Sequence, residues 1–428
     1  MNESVLKNRN FLLLFQGSLT SNIAANFYSF AISFYILEIT GNNASMQGVY
    51  LFVCGLVYVL TSFVGGVLAD RWNRVKIVYG SDFVKGVMIL LSLIPLHFAI
   101  RNGTTSLQLA VLFVIGVVNN LLAAVFNPAS TALIPAIVSE NQLMQANALF
   151  SIQNSVISIL GAVLASVLYA WLSIPALFAV IGVLYVVSGV TELFIRIPYT
   201  RKETRISLGA VFREFGEGFR YLWGMRAVFT VILAALFLNF FLTPISSNFL
   251  PYMIKTEVAG HDYLFRSFVE PEMWMAIIST AIGVGSVAMA MILSGRKQKE
   301  KVGNGIRRWI AIFTVLYAVL ALIYCSLIEK NLNAVLISMT VGMFLIGIAL
   351  ININIPLSVV VQKQTRSDML AKVTSLMNIG SMGLTPISSL LGGIILSALG
   401  TKMLLLLCVA GVALVSVLLF FSKKVPEI

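Results

Sequence analysis

The sequence predicts an all-α membrane protein with twelve transmembrane helices in two six-helix pseudo-symmetric halves. Three observations support this prediction: the share of apolar residues, the spacing of long apolar segments, and similarities between the two halves of the chain. Of 428 residues, 59% are hydrophobic and only 11% are charged. That much apolar surface exceeds what a soluble domain can bury, whereas lipid can cover it. Composition therefore argues against the soluble classes of protein.

Twelve apolar segments are each long enough to cross the hydrocarbon core of a bilayer, for which a helix needs about twenty residues. The first segment is too long for a signal peptide and lacks a small-residue cleavage site, so we expect it to remain in the mature protein. The expected spans are residues 12–36, 46–69, 77–99, 106–127, 148–170, 174–195, 227–251, 273–294, 308–328, 333–355, 373–397 and 400–421.

The distribution of lysine and arginine predicts the orientation of the chain. If both ends lie on the same side of the bilayer, 24 of the 29 basic residues fall on that side. Because basic loops face the cytoplasm, both termini are predicted to be cytoplasmic. The net charge of +12 is then explained by loop charge, and the sequence predicts no nucleic-acid partner.

A polar segment divides the chain between the sixth and seventh spans. Residues 196–226 form the longest internal polar segment and place Phe212 and Phe215 among charged side chains, a pattern typical of an amphipathic helix on a membrane surface. The expected domains are an N-terminal six-helix bundle at 1–195, a cytoplasmic linker with an amphipathic helix at 196–226, and a C-terminal six-helix bundle at 227–428.

The two halves share short sequence features in the same order. Asn127-Pro128 in the first half corresponds to Ile355-Pro356 in the second, and Leu160-Gly161 corresponds to Leu391-Gly392. Two six-span halves with corresponding features are typical of a duplicated transporter.

Few side chains are available for enzymatic or metal chemistry. The three cysteines lie inside apolar segments without the spacing of metal ligands, and the only histidines are His97 and His261. No phosphate-binding loop of the form G-x-x-x-x-G-K-[ST] occurs in the sequence. We therefore predict that the chain is not an enzyme and uses no metal or other cofactor. The membrane subunit of an ATP-driven pump is a remote alternative.

A short charged hinge connects the second and third spans. Its glycines allow two helices to approach closely, and Asp70 can accept hydrogen bonds from a helix N-terminus or pair with an arginine. For Arg74 and Lys76, the alternative is that they only fix the orientation of the chain. The residues of the hinge that we predict to act as a conformational gate are Gly66, Asp70, Arg71 and Arg74.

The hinge resembles a motif of the Major Facilitator Superfamily. Gly66-Val67-Leu68-Ala69-Asp70-Arg71-Trp72-Asn73-Arg74 is similar to that superfamily's G-x-L-a-D-r-x-G-r-r sequence, with Asn73 where glycine is usual. Residues 34–41, 80–85 and 127–135 resemble the twelve-span drug antiporter branch, which contains macrolide efflux proteins and the enterobactin exporter. The fifth span departs from that branch, because Gly161 is followed by alanine where exporters often have proline.

The resemblance implies secondary active transport. A protein of this branch exports a small amphipathic molecule, macrolide- or drug-like, across the bacterial plasma membrane by alternating access and with H+ as coupling ion. In the family, an acid such as Asp70 latches the cytoplasmic side shut. We expect a monomer in contact with membrane lipids. A lipid or lysophospholipid transporter and a siderophore exporter are the alternatives, and a channel fits two repeated halves less well.

An acid and a base lie one helical turn apart in the third span. Asp82 and Lys85 are costly inside a bilayer unless they are paired or hydrated. The pair is either a gate network or proton-linked switch, or a structural ion pair near the interface. Proton coupling needs a group that changes charge, and the other candidates are Asp70, Glu192 and Glu38.

Neutral amides are common in the predicted spans. Such groups must find partners inside a bilayer, either on another helix or in a water-filled cavity. With phenylalanines they form an amphipathic pocket that favours neutral or anionic amphiphiles; interhelical hydrogen bonding is the alternative. The predicted substrate-binding residues are Asn22, Asn26, Phe30, Asn119, Gln153 and Asn239.

Overall fold

The computed structural model describes residues 5–197, 216–217, 219–294, 303–365, 369, 373 and 383–422, and over these ranges the chain forms helices and no strands. The all-α prediction is therefore confirmed. The helices are α1 (Arg9–Ile39), α2 (Ala44–Arg71), α3 (Arg74–Arg101), α4 (Thr105–Ile137), α5 (Glu140–Trp171), α6 (Ile174–Leu193), α7 (Arg226–Pro244), α8 (Pro271–Ser294), α9 (Gly303–Leu327), α10 (Leu332–Gln364) and α11 (Thr385–Phe421). Beyond Pro244, α7 continues through two π-helical turns, Ile245–Phe249 and Ile254–Val258.

Ten of the described helices are long and apolar enough to cross a bilayer, so the chain is a multi-pass membrane protein. Helix α1, which matches the first predicted span, is not among the ten, because amides and hydroxyls recur along it. Most of the segment before Thr385 in the eleventh predicted span lies outside the described residues. Helix α11 includes parts of the last two predicted spans and is broken at Gly400, whose φ is 78°. The count of twelve spans stays a prediction.

Asparagine side chains begin the first three long helices. Asn8, Asn43 and Asn73 precede α1, α2 and α3, and each side-chain oxygen accepts a hydrogen bond from a backbone N–H of the following turn. Such a cap satisfies a donor that the helix leaves unpaired and typically contributes about 1 kcal/mol. Asn73 stands where the family usually has glycine, and its cap defines the start of α3.

The chain separates into two compact units. The N-terminal unit comprises Met1–Met46 and Tyr50–Thr204, and the C-terminal unit comprises Gln47–Val49 and Arg205–Ile428. In the N-terminal unit, α3 packs along α6, and α1 packs against α5 and α6. In the C-terminal unit, α8 and α9 pack against α10, and α11 packs against α7 and α9. The domain boundaries at 195 and 226 and the pseudo-symmetry of the halves stay predictions.

Glycines set the closest helix contacts in each unit. A Cβ atom at Gly65 of α2 would lie 2.3 Å from the Ala124 carbonyl oxygen of α4, and one at Gly285 of α8 would lie 2.1 Å from the Phe344 carbonyl oxygen of α10. Both distances are shorter than van der Waals contact, so only glycine fits at these positions. The hinge therefore begins with the kind of close helix approach that its glycines predict.

The end of the predicted linker packs into the C-terminal unit. Residues 198–215 and 218, which include most of the predicted amphipathic helix, lie outside the described residues. Residues 219–224 are helical, and Leu222 is buried in a core cluster with Val228 and Leu419. This part of the linker thus contributes apolar packing to the fold.

Candidate functional site

Two helices of the N-terminal unit bring ionisable side chains together in its interior. Asp82 and Lys85 lie on α3, while Ser188 and Glu192 lie one turn apart on the facing side of α6. The helices approach closely because glycines replace side chains between them: a Cβ at Gly86 would lie 2.7 Å from the Gly182 carbonyl oxygen. We call Asp82, Lys85, Ser188 and Glu192 the buried charge cluster.

Asp82 and Lys85 form a buried ion pair. The Lys85 Nζ atom lies 3.1 Å from Asp82 Oδ1, and the two residues are 3% and 0% exposed, respectively. The ammonium group also lies over the Phe126 ring at 4.7 Å and the Tyr185 ring at 5.2 Å, positions in which an aromatic face stabilises a cation. The lysine therefore does not reach toward the membrane interface, and its charge is neutralised inside the protein.

Glu192 is buried without a hydrogen-bond partner. Its exposure is 0%, and among the described residues neither carboxylate oxygen has a partner. The carboxylate lies against α1, where a Cβ at Gly17 would be 2.5 Å from Glu192 Oε1. Asp82 and Lys85 are the charged groups that act on it. An ionised carboxylate in such a place is costly, so this position favours a carboxyl group that holds a proton.

The Ser188 hydroxyl links three helices. Its Oγ atom lies 2.7 Å from Asp82 Oδ2 on α3 and 2.8 Å from the Gly17 carbonyl oxygen on α1. Glu192, four residues further along α6, reaches the same glycine. The buried charge cluster is therefore connected to α1 at Gly17.

The charge balance of the cluster defines what it can do chemically. Two ionised carboxylates and one ammonium group have a net charge of −1, and one added proton makes the set neutral. A buried net charge is unfavourable, whereas a neutral set is much less so. One bound proton would thus balance the charge of the cluster.

The structure places the predicted gate residues at the α2–α3 turn. Gly66, Asp70 and Arg71 lie in the last turns of α2, and their side chains are outside the part of the chain that the structure describes. Arg74 begins α3, and its Nη1 atom donates a hydrogen bond of 3.1 Å to the Ala132 carbonyl oxygen of α4. The gate role stays a prediction.

Three of the predicted substrate residues lie along one part of α1 and α5. The Asn22 amide donates to Ser18 Oγ at 3.1 Å, and the Gln153 amide lies 3.1 Å from the same oxygen. Asn26 donates to the Asn22 carbonyl oxygen at 3.0 Å and packs against Gly161 of α5. These amides make hydrogen bonds within and between helices, and their contact with substrate stays a prediction.

The other three predicted substrate residues lie apart from this group. Phe30 is buried against Phe34 and Tyr169, with ring centroids 5.1 and 6.0 Å away. Asn119 is buried on α4, next to the Tyr185 hydroxyl. Asn239 is on α7 of the C-terminal unit, and its amide donates to the Ala235 carbonyl oxygen of its own helix at 3.0 Å. Their contact with substrate also stays a prediction.

Another carboxylate, that of Glu257, lies in the C-terminal unit, in a cavity of about 500 Å³. Glu257 accepts hydrogen bonds from the Tyr324 hydroxyl at 2.6 Å and from the Thr401 hydroxyl at 2.7 Å. At the rim of this cavity, Lys402 donates a hydrogen bond to Glu329, which lowers the pKa of the Glu329 carboxyl. Glu257 ties the end of the α7 segment to the end of α9 and to the break in α11.

Sequence reasoning missed Ser188 and Gly17 as members of the site and named Glu192 only as a candidate for proton coupling. The spacing of Tyr185, Ser188 and Glu192 in α6 was an available signal, because residues three and four apart share one helix face. The spacing does not show which helices pack against that face of α6.

The chain is similar to several bacterial transporters. It is 25% identical over 248 residues to the uncharacterized MFS-type transporter YkuC of Bacillus subtilis, covering 56% of this chain and 54% of that protein. It is 24% identical to macrolide efflux protein A of Streptococcus pyogenes, over 56% and 57% of the two chains. It is 27% identical to the putative bacilysin exporter BacE of Bacillus subtilis, over 40% and 42%. The chain thus matches about half the length of these relatives.

Solved structures of transporters share the fold. A bacterial homologue of the iron transporter ferroportin in an inward-facing state aligns with a TM-score of 0.72 at 17% identity, over 98% of this chain and 99% of that one. The nucleoside transporter NupG aligns with a TM-score of 0.70 at 14% identity, over 99% and 100%. The family model of the Major Facilitator Superfamily matches residues 14–385, and the chain belongs to this family of membrane transporters.

Proposed function

We propose that the chain is a secondary active transporter that exports a small amphipathic molecule, macrolide- or drug-like, by alternating access with H+ as coupling ion. In this proposal the protein works as a monomer in the bacterial plasma membrane, with both termini in the cytoplasm. Relatives named as macrolide efflux and putative bacilysin exporters support the direction of transport. The one-sided distribution of basic residues supports the orientation.

The observation that carries the coupling proposal is the carboxylate of Glu192, which lies beside the Asp82–Lys85 ion pair and has no hydrogen-bond partner among the residues that the structure describes. A transporter driven by protons needs a group that is protonated on one side of the membrane and deprotonated on the other. Among the described residues, the buried charge cluster combines two carboxylates and one ammonium group in a sealed interior. Its charge is balanced only when one proton is bound.

The predicted gate and substrate residues complete the proposal. Asp70, Arg71 and Arg74, with Gly66, form the conformational gate at the α2–α3 turn. The amides of Asn22, Asn26, Asn119, Gln153 and Asn239, together with Phe30, contact the substrate. The site is neutral along α1, so we expect neutral or anionic amphiphiles to be preferred over cations.

A transport assay in proteoliposomes tests this function. Vesicles with an acidic lumen and purified protein are supplied with one labelled probe at a time: erythromycin, ethidium, a catecholate siderophore or a lysophospholipid. We expect concentrative uptake of a drug-like probe, and a loss of about tenfold when an uncoupler removes the proton gradient. Uptake that continues at full rate with the uncoupler would reject proton coupling. Transport of lysophospholipid and of no other probe would show that the substrate is a lipid and not a drug-like molecule.

Two variants link the result to the cluster. Glu192→Gln removes one of the two carboxylates that share the proton and keeps its size, so we expect gradient-driven uptake to fall to the level seen with the uncoupler. Asp262→Asn is the matched control, because Asp262 is an exposed acid that pairs with the Arg266 side chain at 2.9 Å. The control is expected to transport at the rate of the unmodified protein.

A further inference from the structure

The Ser188 hydroxyl lies between two acceptors that it cannot serve at the same time. Its Oγ atom is 2.7 Å from Asp82 Oδ2 and 2.8 Å from the Gly17 carbonyl oxygen. A serine hydroxyl has one proton to donate and can accept two hydrogen bonds. The position of that proton therefore depends on whether Asp82 is an acceptor or a donor.

The two protonation states of Asp82 give two different hydrogen-bond patterns. When Asp82 is ionised, it only accepts, and the charge-assisted bond from Ser188 is the stronger choice. When a proton is bound at Oδ2, Asp82 donates to Ser188 Oγ, and the hydroxyl proton turns to the Gly17 carbonyl oxygen. Only O–H bonds form and break; the proton comes from water on one side of the membrane and returns to water on the other.

We infer that Ser188 is a positioning residue that reports the protonation of Asp82 to helix α1. This inference rests on the proton-coupled function proposed above and assigns its transmission step to one hydroxyl. With a proton bound, α3, α6 and α1 are joined by the chain Asp82–Ser188–Gly17. Without it, the hydrogen bond from α6 to α1 is absent and α1 is freer to move.

Helix α1 is a suitable receiver of this signal. Gly17 is followed by Ser18, whose Oγ atom lies 3.1 Å from both the Asn22 amide and the Gln153 amide. The carbonyl that receives the bond from Ser188 is thus adjacent to the polar residues that we predict to contact the substrate. The hydrogen bond at Gly17 and the nearest of the predicted substrate residues are therefore separated by no more than about one turn of α1.

Few charged or titratable groups among the described residues lie close enough to Asp82 to affect its protonation. On its own helix the facing group is Lys85, which is paired with it. On α6 the facing groups are Tyr185 and Glu192. The described residues that α1 and α4 bring to the cluster, Gly17 on α1 with Asn119 and Phe126 on α4, do not titrate. Glu192 could hold the proton in place of Asp82, so the test must distinguish protonation of Glu192 from protonation of Asp82.

Infrared difference spectroscopy on the purified full-length protein tests the relay without a substrate. Spectra at high and low pH show the C=O stretch of any carboxylic acid that becomes protonated. We expect a band that disappears in Asp82→Asn and moves to higher frequency in Ser188→Ala, because the acid loses its hydrogen-bond acceptor. Ser188→Cys retains a weak acceptor and is expected to give an intermediate shift.

Ser166→Ala is the matched control. Ser166 is also buried, but its hydroxyl donates to the Val163 carbonyl oxygen of its own helix at 2.8 Å. The control is expected to leave the band in place. In the transport assay, Ser188→Ala is expected to lower proton-driven uptake by about tenfold, while Ser166→Ala does not.

The outcomes separate failure of the relay from failure of the proposed function. A band that disappears in Asp82→Asn but does not move in Ser188→Ala overturns the relay and keeps proton coupling. A band that remains in Asp82→Asn and disappears in Glu192→Gln places the proton on Glu192, which also overturns the relay. If no band is seen and uptake ignores the proton gradient, both proposals are wrong.

Discussion

Two carboxylates, one in each unit, have opposite environments. Glu192 in the N-terminal unit is fully buried and, among the described residues, has no hydrogen-bond partner for either oxygen. Glu257 in the C-terminal unit is half-buried, and its two oxygens accept hydrogen bonds from Tyr324 and Thr401. The first carboxylate is therefore placed at a cost in stability, whereas the second contributes to it.

This difference in hydrogen bonding indicates different roles for the two acids, a functional one for Glu192 and a structural one for Glu257. A carboxylate such as Glu257, whose oxygens accept two hydrogen bonds, holds together the helices that donate to it. An unsatisfied one such as Glu192 gains from taking up a proton, and natural proteins keep such groups mainly where function needs them. We therefore propose that proton coupling belongs to the N-terminal unit, whereas Glu257 holds neighbouring helices of the C-terminal unit together.

The largest effect is expected for Lys85→Met. This change leaves Asp82 as a buried charge without its ionic partner, which typically costs about 3–5 kcal/mol. Unfolding in detergent, followed by circular dichroism against denaturant, measures the loss. The double variant Asp82→Asn/Lys85→Met removes both charges and is expected to regain most of the stability without regaining transport.

Lys255→Met is the matched control for that change. Lys255 lies 3.7 Å from Glu272, and both side chains are partly exposed, so water can replace the lost partner. We expect a cost below about 1 kcal/mol. If Lys85→Met were as mild as this control, Asp82 would already be neutral in the folded protein, and the charge balance argued for the cluster would be wrong.

A smaller effect of defined sign is expected for Glu257→Gln. The amide keeps one acceptor but turns an N–H group toward a hydroxyl donor, so at least one charge-assisted hydrogen bond is lost, worth about 1–3 kcal/mol. Glu192→Gln loses no hydrogen bond and removes a buried ionisable group, so its stability is expected to be equal or higher. Thermal unfolding of the two variants, measured side by side, tests this difference. Equal losses of stability in both variants would contradict the distinction between the two carboxylates.

Gly17→Ala tests the contact between α1 and Glu192. The new Cβ atom would lie 2.5 Å from both the Cγ and Oε1 atoms of Glu192, and such overpacking typically costs about 1–3 kcal/mol. Gly80→Ala on α3 is the control, because its Cβ meets nothing within 4 Å; there alanine is expected to be neutral or to stabilise the helix. The double variant Gly17→Ala/Glu192→Ala should remove the overlap, and failure to do so would place the strain elsewhere.

Much of the fold was predictable, because apolar length and helix caps are local properties of the sequence. Nine of the ten apolar helices each follow one predicted span, and the two-residue turn between α2 and α3 also lies where the spans predict it. The first span was harder, since hydroxyls and amides make α1 less apolar than its neighbours. The break at Gly400 could not be read from a continuous apolar run, because a single left-handed residue leaves no periodic signal.

The site was only partly predictable. The i, i+3 spacing of Asp82 and Lys85 placed the two side chains within reach of each other but left open whether they form a gate network, a proton-linked switch or a structural ion pair. Composition showed that Glu192 was one of few acids available. Gly17 gave no signal, because a glycine in an apolar helix is an ordinary packing residue, and the spacing of Ser188 with Tyr185 and Glu192 showed a shared helix face but not the helix that packs against it. Their role depends on which helices become neighbours, and that is decided by contacts such as Gly86 with Gly182.

The smallest effect is expected at the rim of the cavity around Glu257. The hydrogen bond from Lys402 lowers the pKa of the exposed Glu329 carboxyl, so its contribution to stability is present above the ordinary pKa of glutamate, about 4.3, and is lost as the pH falls through the lowered value. Stability should therefore be equal in Glu329→Gln and the unmodified protein below that value, and nearly equal at neutral pH, since exposed pairs contribute little. Adding salt should remove the remaining difference. A difference in stability at neutral pH that persisted in high salt would show that this pair anchors α11. The rim of the cavity would then contribute to stability as Glu257 does, and the contrast between the two would be wrong.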